Sequence, residues 1–462
     1  MTVSQERCYN FFMNTKILTI VSIAALLLSL SGCGGEKTQT KKEKFNIIII
    51  AADTLRADHM HTFGYQYPTT PNLDRFAEKS FLYKHAFCPI PKTSASFASI
   101  MTGLHPFIHK TKPNRGYLKE KYLTLAEALK MQGYFNYAVV DNANLAKKFL
   151  FHQGFDEYIQ VWNEIEEKEQ STPFITDKVL SFLDQDHDQP FFLWVNYIEA
   201  HTPYVPPKEY IEERPKGRDF SKVKPKIIAA MRRIIREKNI YDEGHYISLY
   251  DGAVKYLDAE MGKILERFHQ KGYDKNTILI FVGDHGEDLG EKNFYFNHGP
   301  LTFTAGTRIP LIMYMPGMKP RSINTPVSNM DIYPTLLKRL DLKPPYPIQG
   351  IDLLQPRKGR PLYMIGQVGS YAVVENDFHF IKVQPLMTKG LGIEANHLYQ
   401  FETDPYETNN IYSQNTGLAL KLDKKYQAYF QKHGYLKKGK NADKEDKLSA
   451  KEEKSLKTLG YL

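Results

Sequence analysis

The chain has 462 residues, 42% of them hydrophobic and 24% charged, a composition typical of a globular protein with one large domain and a smaller one. It has three cysteines, which excludes a disulfide-rich scaffold. The formal net charge of +9 favours an anionic substrate or an anionic membrane surface, whereas no helix-turn-helix, finger or RNA-binding signature indicates a nucleic-acid partner.

The N-terminal residues 1–32 predict a signal peptide, because the apolar run Ile17–Leu30 is too short for a comfortable membrane span. The run ends in Leu-Ser-Gly-Cys33, which resembles the bacterial lipobox, a motif whose cysteine is lipidated and becomes the first mature residue. We therefore expect Met13 to be the true start. We also expect an exported lipoprotein, anchored to the bacterial membrane through Cys33, with the outer membrane favoured, and facing the periplasm or the exterior. A plain signal peptide with an incidental cysteine is the alternative.

Residues 33–44 are polar and basic and predict a tether, after which strand and helix patterns alternate. A Thr-x-x-Glu capping box at Thr124 and Glu127 starts one predicted helix, and helical spacing of apolar residues predicts another over Ile247–Phe268. The alternation predicts an α/β, doubly wound catalytic domain over residues 45–344. Five runs are apolar on both faces and predict a covered, mainly parallel sheet: Phe45–Asp53, Phe135–Asp141, Phe191–Ile198, Thr277–Asp284 and Pro310–Pro316.

The pattern changes beyond about Pro345, where short alternating segments separated by turns replace the long apolar runs. They predict a small antiparallel-sheet subdomain over residues 345–420. Residues 421–462 are rich in lysine and glutamate and predict a charged helical tail.

Two carboxylates lie at the ends of predicted strands. Asp53 and Asp284 each close an apolar run, and His285 follows Asp284 directly. Because ligands bind outside the carboxyl ends of strands in open α/β sheets, these three side chains indicate a divalent-metal site. For either aspartate alone, a helix cap or a turn remains the alternative.

Several segments then carry a resemblance to a known family. They begin with "NIIIIAADTLRADHMHTFGY" and "MTGLHP", and continue with "GDHGEDLGEKNFYFNHGP", "VSNMDIYPTLL" and "HLYQFETDPYETNN". Together they resemble the sulfatase family of the alkaline phosphatase superfamily over about residues 45–415. The resemblance implies an alkaline-phosphatase-like fold, in which helices flank a mainly parallel central sheet and a small antiparallel sheet follows at the C-terminus.

The same resemblance places the nucleophile nine residues before Thr102, at Thr93. Typical sulfatases have a cysteine or serine there, within a Cys/Ser-x-Pro-x-Arg motif that is matured to formylglycine. Here the run is Thr-Ser-Ala-Ser-Phe, and the methyl group of threonine prevents oxidation to the aldehyde, so no formylglycine is expected. Ser94 and Ser96 are lesser candidates, and Cys88 is interpreted as a small buried hydrophobic residue.

A metal would activate an unmodified threonine by stabilising its alkoxide. The resemblance implies that Asp53, Thr93, Asp284 and His285 form one such site, similar to that of the threonine-dependent branch, which includes lipoteichoic acid synthases and phosphoethanolamine transferases. An imidazole ligand favours Mn²⁺ or Zn²⁺ over Ca²⁺.

Three histidines match family segments that contact the anion or the leaving group: His109, His201 and His298. Histidine donates hydrogen bonds to anionic oxygens and protonates a leaving alkoxide. For each histidine alone, a satisfied position in the core is the alternative. Arg308 is interpreted as structural, holding the loop of the metal pair.

Three functions remain open at this point. The first is a metal-dependent hydrolase of sulfate, phosphate or phosphonate esters acting outside the cytoplasm through a covalent intermediate on Thr93. The second is a phosphoryl-group transferase of the phosphoethanolamine type that modifies a surface glycan or lipid. The third is an inactive lipoprotein that binds glycans, which the departures from the motif at Ala95 and Phe97 leave open. The expected substrate is an anionic ester on a glycan or lipid headgroup, and the sequence leaves the oligomeric state open.

Overall fold

The structure is a computed structural model. It describes the chain over residues 44–166, 170–222, 229–367 and 370–433, with residues 450, 451 and 454. The predicted signal peptide, the lipobox cysteine Cys33 and the tether up to residue 43 lie outside the described residues. So does most of the predicted tail beyond His433. In the described part of the chain, no helix combines the length and the apolar content needed to span a bilayer.

Eight strands of this part of the chain form the central sheet, in the order β12-β2-β11-β7-β1-β6-β4-β5. Further strands form a three-stranded, a four-stranded and a two-stranded sheet. In chain order the strands are β1 (Asn46–Ala52), β2 (Phe81–Tyr83), β3 (Ala86–Phe87), β4 (Phe135–Val140), β5 (Glu157–Gln160), β6 (Phe191–Tyr197), β7 (Thr277–Gly283), β8 (Asp288–Leu289), β9 (Tyr295–Asn297), β10 (Arg308–Ile309), β11 (Leu311–Tyr314), β12 (Arg321–Ile323), β13 (Val327–Ser328), β14 (Leu362–Ile365), β15 (Tyr371–Glu375), β16 (Phe378–Lys382) and β17 (Asn396–Gln400).

The central sheet is mainly parallel, as predicted. β1 pairs in parallel with both β6 and β7, and β4 continues the parallel set beyond β6. β11, one of the five predicted strands, runs the other way and pairs antiparallel with β7. β7 ends at the carboxyl edge of the sheet, and β11 starts at that same edge, with Leu311 opposite Val282. A strand that returns from the edge at which its neighbour ended, without a crossover helix, must be antiparallel to it.

Both faces of the sheet are buried, which explains the uninterrupted apolar runs. In β1, Ile47 and Ile49 lie in one hydrophobic cluster, whereas Ile48 and Ile50 lie in the cluster on the other face. The helices that cover the two faces, with shorter helices at the loops, have the following bounds: Pro71–Glu78, Thr93–Thr102, Pro106–His109, Leu125–Lys130, Val161–Glu164, Ser171–Asp184, Ala229–Lys238, Glu243–Gln270, Thr304–Thr307, Ile332–Arg339, Pro385–Leu391 and Thr416–His433.

Local sequence signals set several of these helix ends. The capping box is present, because the Thr124 side chain accepts from the Glu127 backbone N–H and the Glu127 carboxylate accepts from the Thr124 backbone N–H. The helix predicted over Ile247–Phe268 is observed as Glu243–Gln270, with Asp242 accepting from the Gly244 N–H as its N-cap. The observed helix is four residues longer at its start and two residues longer at its end than the predicted one.

The four-stranded sheet near the C-terminus is antiparallel, in the order β14-β15-β16-β17. The helix Thr416–His433 packs on it, with the rings of Tyr371 and Tyr426 stacked at 3.9 Å between centroids. Val373 and Leu398 of this sheet share a hydrophobic cluster with Ala95. The small sheet therefore supports the helix Thr93–Thr102, which carries the predicted nucleophile.

Candidate active site

Three predicted metal ligands lie together at the carboxyl edge of the central sheet. Ala52 is the register partner of Gly283, so the next residue of each strand, Asp53 or Asp284, emerges at the same level of the edge. His285 Nε2 lies 3.8 Å from Asp53 Oδ1 and 3.4 Å from Asp284 Oδ2. All three side chains are fully buried. Among the described residues, this is the group of acidic and histidine side chains whose ligand atoms all lie within 4.8 Å of one another.

Each carboxylate has one oxygen held by the protein and one that is not. Asp284 Oδ1 accepts from the backbone N–H of His285 at 2.7 Å and of Thr54 at 3.2 Å. Asp53 Oδ2 accepts from Asn142 Nδ2 at 2.6 Å. The other two oxygens, Asp53 Oδ1 and Asp284 Oδ2, have no hydrogen-bond partner within the described chain. Burial raises the pKa of both carboxyl groups, so a compensating cation between the two oxygens would stabilise their ionised forms.

The imidazole of His285 is also oriented so that it could bind a cation. Its Nδ1–H donates to the Gly286 carbonyl at 2.9 Å, so Nε2 carries the lone pair in the neutral ring. Burial lowers the pKa of His285 well below its ordinary value, which keeps the ring neutral. Two carboxylate oxygens and one imidazole nitrogen with a fixed tautomer fit a divalent transition metal.

Thr93 is the hydroxyl residue that faces this group. It is the first residue of the helix Thr93–Thr102, and its Oγ1 lies 3.3 Å from His285 Nε2. The two neighbouring serines point elsewhere: Ser94 Oγ donates to the Asn144 carbonyl at 3.2 Å and Ser96 Oγ to the Asp284 carbonyl at 2.6 Å. These serine hydroxyls therefore bind backbone carbonyl groups, whereas the Thr93 hydroxyl points at the candidate metal ligands.

His201 and His298 lie close to His285. The ring centroid of His298 is 4.5 Å from that of His285 and 5.1 Å from that of His201. His298 Nδ1 is 3.0 Å from Glu287 Oε1, and His201 Nδ1–H donates to the Thr202 carbonyl. Burial and the charge of a nearby lysine lower the pKa of both rings, that of His201 to about 4.

His109 has a different environment. Its Nε2 is 3.1 Å from Ser99 Oγ, and its Nδ1 accepts from the Thr111 N–H at 3.0 Å. Ser99 lies six residues after Thr93 in the same helix, a rise of about 9 Å. The described contacts of His109 thus support the helix and the loop after it, and its predicted catalytic role stays a prediction.

The departures from the formylglycine motif have structural roles. Ala95 packs against the small C-terminal sheet, and the Phe97 ring lies 5.3 Å from that of Trp194 in the core. Cys88 is buried in the same core, as predicted, and burial raises the pKa of its thiol well above the ordinary value. Arg308 donates to the Lys84 carbonyl, 224 residues away in sequence. Among the described residues, no side-chain hydrogen bond joins any of these four residues to a proposed metal ligand.

A model of the sulfatase family matches residues 45–342. The chain belongs to the sulfatase family. An arylsulfatase of Clostridium perfringens is 25% identical over 442 aligned residues, which cover 80% of this chain and 90% of that protein. A sulfatase of Formosa agariphila is 28% identical, covering 66% of this chain and 71% of that one. The predicted family is confirmed, and the chain is at this level a sulfatase-family hydrolase.

Solved structures support the predicted fold. A phosphonate monoester hydrolase of Agrobacterium radiobacter superposes with a TM-score of 0.68 at 19% identity, covering 85% of this chain and 96% of that chain. A sulfatase described as yidJ from Bacteroides fragilis superposes with a TM-score of 0.65 at 22% identity, covering 86% and 98%. The α/β fold with a large central sheet and a small C-terminal antiparallel sheet is therefore confirmed.

The structure adds three residues at the candidate site that the sequence patterns did not single out. Asn142 follows β4 by two residues, so the rule that polar residues after a strand reach the ligand edge could have found it. Glu287 is buried beside His298, where burial raises the pKa of its carboxyl group to about 8. Lys92 precedes Thr93 and is only 5% exposed, and burial lowers the pKa of its ammonium to about 8. No local signal marks Glu287 or Lys92 as buried.

Proposed function

We propose that this sulfatase-family protein hydrolyses a sulfate, phosphate or phosphonate ester through a covalent intermediate on Thr93. One observation carries the proposal: Thr93 Oγ1 lies 3.3 Å from His285 Nε2, beside two buried carboxylate oxygens that lack hydrogen-bond partners in the described chain. A hydroxyl group in this position would share a cation with the two carboxylates. The proposal needs no formylglycine, and a threonine nucleophile favours phosphorus over sulfur.

We further propose that Asp53, Thr93, Asp284 and His285 hold one divalent metal ion, Mn²⁺ or Zn²⁺ in preference to Ca²⁺. An imidazole among hard oxygen ligands supports this preference. When bound, such an ion lowers the pKa of a ligating hydroxyl and neutralises the charge of ester oxygens. Asn142 keeps Asp53 in the orientation that this site needs, because it holds one carboxylate oxygen and leaves the other for the ion.

The reaction then balances in two displacements. The Thr93 hydroxyl loses its proton to water, and its oxygen forms a bond to sulfur or phosphorus while the bond to the alcohol oxygen breaks. His298 or His201 donates a hydrogen bond to the leaving oxygen, which takes its proton from water, because burial lowers the pKa of both rings and keeps them neutral. A water molecule next attacks sulfur or phosphorus and loses a proton to the solvent, while the bond to the Thr93 oxygen breaks. The Thr93 oxygen takes a proton from the solvent, and the anion is released. Glu287 Oε1, 3.0 Å from Nδ1 of His298, holds that ring in a fixed orientation during this exchange.

We propose the site of action as outside the cytoplasm, with Cys33 lipidated, because the sequence resembles that of an exported lipoprotein. A lipid or glycan ester at the membrane surface would then be within reach of the tethered enzyme.

The experiment compares wild-type protein with Thr93→Ala and Thr93→Ser, each loaded with Mn²⁺ or Zn²⁺. Turnover of aryl sulfate, phosphate monoester, phosphodiester and phosphonate esters is measured, together with metal content and the intact mass after a slow substrate. We expect Thr93→Ala to lose turnover and the mass adduct, and Thr93→Ser to keep both in part. Unchanged turnover in Thr93→Ala would refute the nucleophile, and a sulfate-only profile would refute the preference for phosphorus. Turnover that requires an added alcohol acceptor would instead support the transferase alternative. A protein that binds no metal and shows no turnover would support the alternative of an inactive glycan-binding lipoprotein.

A further inference from the structure

The residue before the proposed nucleophile has an unusual position for its type. Lys92 is the N-cap of the helix Thr93–Thr102, with extended backbone and no side-chain cap hydrogen bond. Helices prefer Ser, Thr, Asp or Asn at this position, and the positive end of the helix dipole repels a cation there. A lysine that is also buried adds a desolvation cost. The N-cap preference and the desolvation cost therefore both disfavour a lysine at position 92. Residues that are unfavourable for stability in this way concentrate at functional sites.

The path of the Lys92 side chain is fixed by its contact with a glycine. A Cβ at Gly299 would overlap Lys92 Cε and would lie 3.2 Å from Lys92 Cδ. Gly299 also has a φ of +106°, in the region that side chains other than glycine rarely adopt. The aliphatic stem of Lys92 therefore crosses the bare backbone of Gly299, directly after His298, and its end is directed into the cluster of histidines.

The ammonium group of Lys92 lies among the residues of the candidate active site. Its charge interacts electrostatically with two carboxyl groups and with three imidazoles, namely Asp53, Glu287, His201, His285 and His298. Asp53 and His285 are proposed metal ligands, and His201 and His298 are proposed to serve the leaving group. Glu287 lies beside His298. The Lys92 ammonium is thus within electrostatic range of both the proposed metal ligands and the residues proposed to serve the leaving group.

We propose that the Lys92 ammonium binds the anionic oxygens of the ester, together with the N-terminal turn of the helix Thr93–Thr102, while Thr93 attacks. The helix has ten residues, and its first turn directs backbone N–H groups and partial positive charge to the same side as Thr93 Oγ1. Preorganised positive groups of this kind bind a charged group most strongly where water is excluded. The inference rests on the proposed function, since it assigns Lys92 to the substrate of that site.

The test removes the charge and keeps the packing. Lys92→Met retains an unbranched stem over Gly299, and Lys84→Met is the matched control, because Lys84 is a half-buried lysine that donates to the Thr62 carbonyl away from the site. Binding of inorganic sulfate and inorganic phosphate to the full-length, metal-loaded proteins is measured by calorimetry, with metal content measured in parallel. We expect the dissociation constant of both anions to rise about 10- to 100-fold in Lys92→Met and to stay unchanged in Lys84→Met.

A second readout separates binding from structure. Sulfate that binds the folded protein stabilises it against thermal unfolding in proportion to its affinity. We therefore expect the melting temperature of Lys92→Met to rise less on adding sulfate than that of the wild type, each compared with the same protein without anion. Wild-type anion affinity in Lys92→Met would overturn the proposal, as would undetectable anion binding by the wild type. Loss of the metal from Lys92→Met would also overturn it, because Lys92 would then serve the metal ligands.

The same titrations in the Thr93→Ala background distinguish this inference from the proposed function. If Thr93 is not the nucleophile, anion binding that depends on Lys92 persists and the assignment of Lys92 stands. If Thr93 is the nucleophile but Lys92 is only structural, Thr93→Ala loses turnover, whereas the dissociation constants of the anions are the same in Lys92→Met as in the wild type.

Discussion

Asn142→Leu perturbs the proposed metal site without touching a proposed ligand. Asn142 Nδ2 donates to Asp53 Oδ2 at 2.6 Å, and its Oδ1 accepts from the Asn144 N–H at 2.9 Å. All three side chains are fully buried. Leucine has a similar volume but no donor, so the variant removes the described side-chain partner of that carboxylate oxygen and leaves the oxygens of Asp53 to reorient.

The size of the effect follows from this contact. A hydrogen bond to a charged group contributes about 1.5–3 kcal/mol, and loss of a residue that orients a ligand weakens metal binding about 10- to 100-fold. At about 1.36 kcal/mol per tenfold change, the second range corresponds to about 1.4–2.7 kcal/mol, so the two agree. We expect the dissociation constant for Mn²⁺ to rise about 10- to 100-fold in Asn142→Leu.

The affinity of the site for Mn²⁺ should also depend on pH in a defined direction. Burial raises the pKa of Asp53, and the Asn142 hydrogen bond opposes that rise. Because the metal binds the ionised carboxylate, affinity falls as the pH drops through this pKa. Without Asn142 the pKa rises further, so the variant should lose metal affinity at a higher pH than wild type.

Thermal or denaturant unfolding with and without Mn²⁺ measures the effect. Metal at 100 times the wild-type dissociation constant stabilises the folded state by about 2.7 kcal/mol, and a 100-fold weaker site retains about 0.4 kcal/mol of this. The control is Asn144→Leu, which removes the acceptor for the Arg115 N–H in the same turn but leaves Asp53 its partner. Wild-type Mn²⁺ affinity in Asn142→Leu, or an equal loss in Asn144→Leu, would refute the reasoning.

Three further predictions concern groups outside the metal ligands. Arg360→Met leaves the buried Asp331 carboxylate without the ion pair at 2.7 Å, and should lower the free energy of unfolding by about 3–5 kcal/mol in denaturant titrations. Burial lowers the pKa of His105 to about 4, so the unfolded chain binds this proton first as the pH falls. Stability should therefore fall by about 3 kcal/mol between about pH 6.5 and pH 4, and less in His105→Gln. Cys88→Ala should keep full turnover, and the native thiol should resist alkylation.

Each of these has a contrary outcome. An unfolding free energy unchanged in Arg360→Met would mean that Asp331 is satisfied by its backbone donors alone. Equal pH dependence in wild type and His105→Gln would remove His105 as a source of acid sensitivity. Loss of turnover in Cys88→Ala with an unchanged melting temperature would reopen the thiol as a participant.

Much of the architecture follows from short stretches of sequence. The β1 run is apolar at every position because both faces of its strand are covered, and this pattern needs no knowledge of its neighbours. The capping box at Thr124 is likewise complete within four residues. The spacing from Thr102 in the resembling segment predicted Thr93 as the nucleophile. In the structure, Thr93 Oγ1 faces His285.

Other features depend on which segments become neighbours. The reversed direction of β11 is set by the edge of the sheet at which the chain returns, which no property of its own residues encodes. His109 is adjacent in sequence to the nucleophile helix, yet its described contacts are with Ser99 and Thr111. Sequence spacing measures distance along the chain, whereas a ring's contacts depend on the direction in which the backbone turns.

The sequence by itself thus determined the family, the strands and the carboxylates that end them, because burial patterns and strand ends are local properties of a few residues. Only the tertiary structure decided that Asn142 holds Asp53 and that Lys92 is buried within electrostatic range of Asp53 and Glu287. The physical reason is that the partners of a polar side chain come from strands and loops far away in sequence. The order of the sheet brings them together at its carboxyl edge.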